Sequence, residues 1–377
     1  MKKKILAAIC ASMMMTAANA QVKVPEWVNN VKLSGYILTQ YQYSGQEGAK
    51  ANSFNIRLGR LALDGRLFND WYWKMQLQVN GNTSTQGASP RIVDAFVEWQ
   101  KYSFACVKVG QFKRPFTFEN PMHPIDQGFM GYAQAINKLS GMSDRDGQVA
   151  SNGRDIGIQL QGDVLRNAAG RALLHYQVGV FNGQGINRKD VDQQKDLIGG
   201  FWVMPIKGMR IGMFGSEGSY SRKGTWTEPM PDGNAVTHND LVRLPQHRYA
   251  FSAEYKFSDW TLRSEYIHST GKAFKVTENS SADAKNAEVN EALGNKADAF
   301  YALAIAPVIP KKLYAKARYD LYRPKADWGS SRTQYEAGFN YLFNKNVQLN
   351  AEYARINDRS LAKHNYDMID VQLDFRF

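Results

Sequence analysis

The connections between strands, more than the strands themselves, limit what this chain can become. From Val31 onward, sixteen segments alternate apolar and polar residues with a period of two, the mark of strands with two different faces. They run 31–43, 52–67, 72–80, 90–99, 103–111, 153–163, 172–182, 195–204, 209–219, 246–256, 261–270, 298–306, 313–322, 332–342, 347–356 and 365–377. The odd-numbered connections (44–51, 81–89, 112–152, 183–194, 220–245, 271–297, 323–331 and 357–364) all have eight or more residues. The even-numbered ones (68–71, 100–102, 164–171, 205–208, 257–260, 307–312 and 343–346) have eight at most. Several of these carry turn chemistry: Asn69-Asp70, Ser258-Asp259, Asn344-Lys345-Asn346, and Pro205 with Gly208. Long loops thus gather at one end and tight turns at the other. That asymmetry, with an even strand count, is the pattern of an outer-membrane barrel with its turns and both termini in the periplasm. A soluble sandwich gives no reason for such parity. The fold class predicted is all-β, a transmembrane antiparallel barrel of sixteen strands.

The N-terminus fits that compartment. Lys2, Lys3 and Lys4 precede an apolar run over 5–17, and Ala18-Asn19-Ala20 is an A-x-A site, so 1–20 reads as a secretory signal cleaved after Ala20. Without it the formal charge falls from +12 to +9, and of the two cysteines only Cys106 remains, which excludes an internal disulfide. A short periplasmic segment, 21–30, is then expected before one barrel domain, 31–377, in the outer membrane of a Gram-negative bacterium. No later run approaches the eighteen or so apolar residues that a membrane helix requires.

Composition assigns the faces. In 369–377, Ile369, Val371, Leu373, Phe375 and Phe377 alternate with Asp370, Gln372, Asp374 and Arg376. Segments 72–80, 246–256 and 313–322 behave alike. A charge at mid-membrane on the lipid face costs about 2–4 kcal/mol, so the charged set faces inward. A barrel of sixteen strands is too wide for side chains to fill, so its interior is a water channel. Segment 52–67 changes phase after Leu58, and a bulge near Gly59-Arg60 restores it, with Arg57, Arg60 and Arg66 all inward.

Four stretches carry a resemblance: FNIRLGRLALDGRL (54–67), KVGQFKRPF (108–116), RDIGIQLQGD (154–163) and GVFNGQG (179–185). In this order and spacing they resemble the phosphate-selective porins O and P, in their Bacteroidota branch. The resemblance implies a sixteen-stranded porin, usually a homotrimer, with inward-folded loops and lumen Arg and Lys that select anions. It also implies that Phe377 is the signal read by the barrel assembly machinery. Outer-membrane lipid, lipopolysaccharide and small anionic solutes, phosphate or polyphosphate among them, are the partners that follow. No cofactor follows.

The candidate anion-binding, pore-lining set is Arg57, Arg60, Arg66, Lys74, Lys108, Lys113, Arg114, Arg145, Arg210, Arg248, Lys316 and Arg318, with Lys256, Arg263 and Arg376 also inward by phase. Several exchanging Arg/Lys sites lower the barrier for an anion without trapping it, and the Arg fork matches phosphate oxygens. The bland reading is that lumens carry paired charges anyway. Asp64, Asp94, Glu98, Asp155, Glu254, Glu265, Asp320, Glu336, Glu352, Asp370 and Asp374 also point inward and can neutralise the ladder. The connection 112–152 is too long for a plain surface loop. Folded into the lumen, it sets the constriction, with Lys113-Arg114 at its start as the filter; the alternative is an outward loop for surface contacts.

Enzyme readings are poor. The six histidines are scattered, with no metal-protease, nucleophile-elbow or phosphate-loop motif. His268-Ser269 are neighbours on a strand and face opposite ways, and His175 reads as polar lining. Asp144-Arg145-Asp146-Gly147 lacks the remaining ligands of a calcium loop. The positive charge is spread over alternating strands, unlike a nucleic-acid patch. Two competing functions remain: a surface adhesive barrel working through 220–245 and 271–297, both read as mobile, which need not conduct, and a general or sugar-permeable pore, which Tyr314 and Tyr322 favour weakly.

Overall fold

In the computed structural model the described residues are 25–80, 90–142, 151–274 and 289–377, and the side chains of 223–229 and 237–240 also lie outside the description. The expected signal over 1–20, and Arg145, fall outside the described residues.

The described chain is strand almost throughout: β1 (Val28–Ser44), β2 (Ala51–Leu67), β3 (Trp71–Gln78), β4 (Arg91–Tyr102), β5 (Ala105–Lys113), β6 (Arg154–Arg166), β7 (Ala172–Phe181), β8 (Asp196–Val203), β9 (Met209–Pro229), β10 (Ala235–Phe257), β11 (Trp260–Thr270), β12 (Lys296–Ile309), β13 (Leu313–Arg323), β14 (Arg332–Leu342), β15 (Val347–Asp358) and β16 (Asn365–Arg376). Each pairs antiparallel with its sequence neighbour, and β1 pairs with β16 from Ser44↔Met368 to Tyr36↔Arg376, closing a sixteen-stranded barrel. The predicted strand count and order are borne out. At the seam, Gly35 and Phe377 exchange backbone hydrogen bonds of 3.1 and 3.0 Å. A Cβ on Gly35 would lie 2.6 Å from the Phe377 ring, so only glycine lets the final aromatic lie against β1. Closure matters because a strand in lipid has no water to satisfy its backbone, and a closed ladder leaves no edge.

The alternation resolves into two walls. Ile37, Leu61, Leu63, Met75, Val97, Val109, Ile158, Val178 and Phe251 form an exposed apolar belt. Trp27, Phe68, Trp71, Tyr102, Phe104, Phe257, Trp260, Phe343 and Phe375 ring its turn end. Ser258-Asp259 take two successive positive φ values as their types suggest, the primed geometry that matches strand twist; in the β2–β3 turn the pair is Phe68-Asn69, one residue earlier than the expected Asn69-Asp70, with a phenylalanine in a position that its type does not favour.

Two expectations are corrected, and one element is added. The bulge lies at Arg57, since Leu38 pairs with Leu58 and Thr39 with Ile56, two to three residues earlier than expected, although Arg57 and Arg60 still turn inward. The stretch 220–245 is not a mobile loop: the β9–β10 ladder continues to Pro229↔Ala235, leaving 230–234 as the connection. Beyond the apolar belt a strand needs no apolar face, so the alternation that would reveal it fades. Finally, one short helix, α1 (Gln134–Leu139), lies within the long β5–β6 connection.

The end assignment is tested by cysteine labelling of intact cells. A cysteine at Asp232 should react with an impermeant maleimide, and Ser258→Cys should not; equal rates would reverse or abolish the topology.

Candidate functional site

The β5–β6 connection packs against the inner wall. Phe116, Phe118, Phe129, Ala133, Ala135, Ile136, Leu139 and Met142 from the connection share one buried cluster with Phe181, Ile198, Phe214, Ala250, Ile267, Ala299 and Tyr301 from the strands. Ile125 packs separately on Tyr36, Leu38 and Leu58. At about 25 cal/mol per Å² of apolar surface removed from water, several buried aromatics make this a seated element.

Wall carboxylates and cations then bind its backbone. Glu265 accepts from Phe118 N and Glu119 N, both 2.9 Å, from Tyr301 OH at 2.7 Å, and from Ser252 Oγ. Glu352 accepts from Met130 N (2.8 Å) and Asp320 from Gln134 N (2.9 Å). Lys316 donates to Gly128 O (3.0 Å), Arg318 to Gly131 O (3.0 Å) and Arg248 to Leu139 O (3.1 Å). Arg376 reaches Asp126 Oδ1 at 3.0 Å. The connection is therefore anchored to β10, β11, β13, β15 and β16 in turn.

Apart from Arg66 and Arg145, the sequence-predicted residues fall into three groups. Lys108, Arg210, Lys316 and Arg318 are ion-paired across strands, with Glu98 (3.6 Å), Glu254 (2.9 Å), Glu352 and Glu336 (3.0 Å). Lys113, Arg114 and Arg248 hold the connection. Lys113 donates to Asn120 O (2.6 Å), Met122 O (3.1 Å) and Tyr132 OH (2.8 Å), and buried Arg114 donates to Ser140 O (3.2 Å). Gly141, at φ 88°, makes room for that guanidinium: a Cβ there would fall 0.9 Å from Arg114 Nη2. Lys113 and Arg114, expected as the filter, are thus engaged as ties. Third, Arg57, Arg60 and Lys74 meet no carboxylate within ion-pair distance among the described residues. Arg57 donates to Gln372 Oε1 (3.0 Å), Arg60 to Tyr36 OH (3.0 Å) and Gln78 Oε1 (3.2 Å), and Lys74 approaches His123 Nε2 at 3.4 Å. Arg66 donates to Asn69 O in the β2–β3 turn.

Two pH-relevant groups lie in the connection. Burial, with Lys74 and Lys113 nearby, pushes His123 down to about 3, so it is neutral at physiological pH. Burial also pushes the Tyr132 phenol well up.

Arg154 was missed by the sequence reading. Strict alternation sends Asp155 inward and Arg154 outward, but positive φ at Asn152 and Gly153 frees Arg154 from the phase. It lies buried, with Nε and Nη2 on the two Asp94 oxygens at 2.6 and 3.1 Å.

Two cavities flank the connection. One, of about 720 Å³ at the loop end, is bordered by Gln46, Lys138, Tyr322, Arg332 and Tyr366. The other, of about 550 Å³ at the turn end, is bordered by Asp126, Tyr314, Asn340, Gln372, Asp374 and Arg376. Both touch the inner face of β16, at Tyr366 and at Gln372. Between them on that face lie Met368 and Asp370, with Glu352 opposite Asp370 on β15 and Gln42 opposite it on β1.

Residues 31–196 match the family model described as phosphate-selective porin O and P, which bears out over that stretch the resemblance carried by the motifs. None of the curated proteins matches the chain. Among solved structures, an anion-selective porin from Comamonas acidovorans superposes with a TM-score of 0.62 at 15% identity, over 92% of this chain and 99% of that one. Salmonella typhi OmpF in complex with daunomycin gives 0.60 at 14% identity, over 94% and 99%. The trimer form of Vibrio cholerae OmpT gives 0.57 at 13% identity, over 92% and 99%. At such identities the likeness is one of fold. Family match and porin fold together support an outer-membrane channel rather than an enzyme.

Glu265 should be the most sensitive anchor. Glu265→Gln replaces one acceptor oxygen by a donor and leaves a buried N–H unmet, at about 1–3 kcal/mol. The expected outcome is flickering single-channel current and faster proteolysis within 114–142 of the folded barrel; a quiet, protected variant would show that the anchor is dispensable.

Proposed function

We propose that this protein is an outer-membrane diffusion channel for small hydrophilic solutes with a modest preference for anions. One observation carries the reading. The two cavities abut opposite ends of the same inner face of β16, and Arg57, bonded to Gln372 there, is a cation with no carboxylate partner within ion-pair distance among the described residues. A solute passing along β16 meets that charge where the connection crowds the lumen. Charges near a narrow, poorly hydrated point act strongly, whereas those in the wet mouths are screened beyond roughly 8 Å. Asp370 and Asp374 lie on the same strand and oppose Arg57, which is why the preference is modest. Phosphate is accepted as one anion among several in this reading, because most of the arginines that a dedicated ladder needs are paired or tie down the connection.

The remaining assignments follow from the same reading. The chain is exported by a signal cleaved after Ala20, inserted by the barrel assembly machinery with Phe377 as the recognised residue, and surrounded by outer-membrane lipid and lipopolysaccharide. It assembles as a homotrimer, the form in which the similar OmpT is described. Diffusion through such a pore requires neither cofactor nor metal.

Planar-bilayer reversal potentials under a salt gradient test the reading. Arg57→Glu should move the pore clearly toward cations, and Arg66→Glu, at the β2–β3 turn, should move it far less. Equal small shifts would remove β16 as the conducting face.

A further inference from the structure

The short connections at the turn end carry five cations, Arg171, Lys207, Lys311, Lys312 and Lys345, against two carboxylates, Asp70 and Asp259. Arg171 is engaged within the wall, where it donates to Met204 O and, at 3.1 Å, to Pro205 O of the next turn. Three of the four lysines gather in two turns. Lys311 and Lys312 belong to the β12–β13 turn and Lys345 to the β14–β15 turn; all three are exposed, and neither turn contains an acid. The β13–β14 ladder ends at Leu313↔Tyr341, and Leu342 N donates to Lys312 O at 2.8 Å, so the two turns are held side by side. No carboxylate lies within ion-pair distance of these lysines among the described residues.

The wall next to these turns is apolar and faces lipid. Register sets Ile309 beside Leu313, Leu313 beside Tyr341, and Tyr341 beside Leu349, on the face opposite to inward Lys316 and Arg318. Phe343 is exposed and meets Tyr341 edge-on, with ring centres 5.0 Å apart. Lys312 Nζ lies 5.7 Å from the centre of the Tyr341 ring, which puts that ammonium on the lipid side of the wall rather than over the lumen. Aromatic rings of this kind mark the level of lipid headgroups, and a lysine stem can lie along an apolar wall while its charge stays at that level. Cations at the rim of an apolar face match a molecule with a phosphate head and hydrocarbon tails. A zwitterionic head brings a cation of its own and finds no acid in either turn, so the charge selects a net anionic head.

We infer that Lys311, Lys312 and Lys345 bind the headgroup of an anionic phospholipid in the periplasmic leaflet, with its acyl chains along Ile309, Leu313, Tyr341 and Phe343. The inference rests on the placement of the barrel in the outer membrane with its turns in the periplasm, and it is independent of the anion preference of the lumen.

Local quenching by brominated lipid tests it. The full chain, with Cys106→Ala and a bimane label on Ala315→Cys, is reconstituted in phosphatidylcholine vesicles; Ala315 is exposed on the outward face of β13, two residues beyond Leu313. Met75→Cys is the control, on the outward face of β3, whose turn holds Asp70. Dibrominated phosphatidylglycerol should be preferred over dibrominated phosphatidylcholine roughly three- to tenfold at Ala315→Cys, the pull of a few interfacial lysines, and not at Met75→Cys. Combining Lys311→Gln, Lys312→Gln and Lys345→Gln should abolish the preference. Inorganic phosphate at matched ionic strength should leave it intact. Equal preference at both positions, no preference at Ala315→Cys, persistence in the triple variant, or loss to inorganic phosphate would each overturn the inference. Absence of quenching at Ala315→Cys by brominated phosphatidylcholine would instead refute the lipid-facing wall, and with it the membrane placement on which the inference rests.

Discussion

Everything inside this barrel depends on how its inward charges are satisfied once a loop has displaced the water around them. The lipid-facing wall forces charge inward, because the opposite arrangement is too costly at mid-membrane. The β5–β6 connection then packs phenylalanine and small aliphatic residues against the inner wall. A charge left unpaired there would carry a large desolvation penalty. The observed answers are cross-strand pairs, such as Arg318 with Glu336 and Arg263 with Glu254, and carboxylates turned onto backbone N–H groups, as in Glu265, Glu352 and Asp320. The same groups that neutralise the wall also seat the connection.

This explains which parts of the molecule were legible in the sequence. Lipid imposes the period of two directly, so strand number, facing and the parity of connections could be read. The residues that cluster inside could not. Ala250, Ile267 and Ala299 lie at inward positions and interrupt an otherwise polar set, and the buried cluster that they share with Phe118 and Ile136 of the connection gives them a reason. Lys113 and Arg114 were visible as cations at the start of a long connection. Whether they face a passing ion or the carbonyls of Asn120 and Ser140 depends on a fold of the connection that no local pattern encodes. The ion pairs needed the register, which turns and bulges fix; one bulge displaced by two to three residues is enough to reassign a partner.

Fold and selectivity separate cleanly in this case. The solved structures that superpose on the chain include a porin described as anion-selective and another captured with daunomycin, at 13–15% identity. A shared barrel supplies the hole; side chains at its narrowest level decide what passes. In this chain the inner wall beside β16 sets Arg57, which meets no carboxylate within ion-pair distance among the described residues, next to Asp370 and Asp374, which is the ground for proposing a permissive pore over a dedicated phosphate ladder.

The most direct test of the account is the zero-current potential of the wild-type protein in a planar bilayer separating unequal KCl concentrations. The account predicts stable, ohmic channels with a small potential of the sign that marks chloride as the more permeant ion. A potential near the ideal chloride limit would contradict the neutralised lumen, and a potential of the opposite sign, or no conductance at all, would contradict the channel as described.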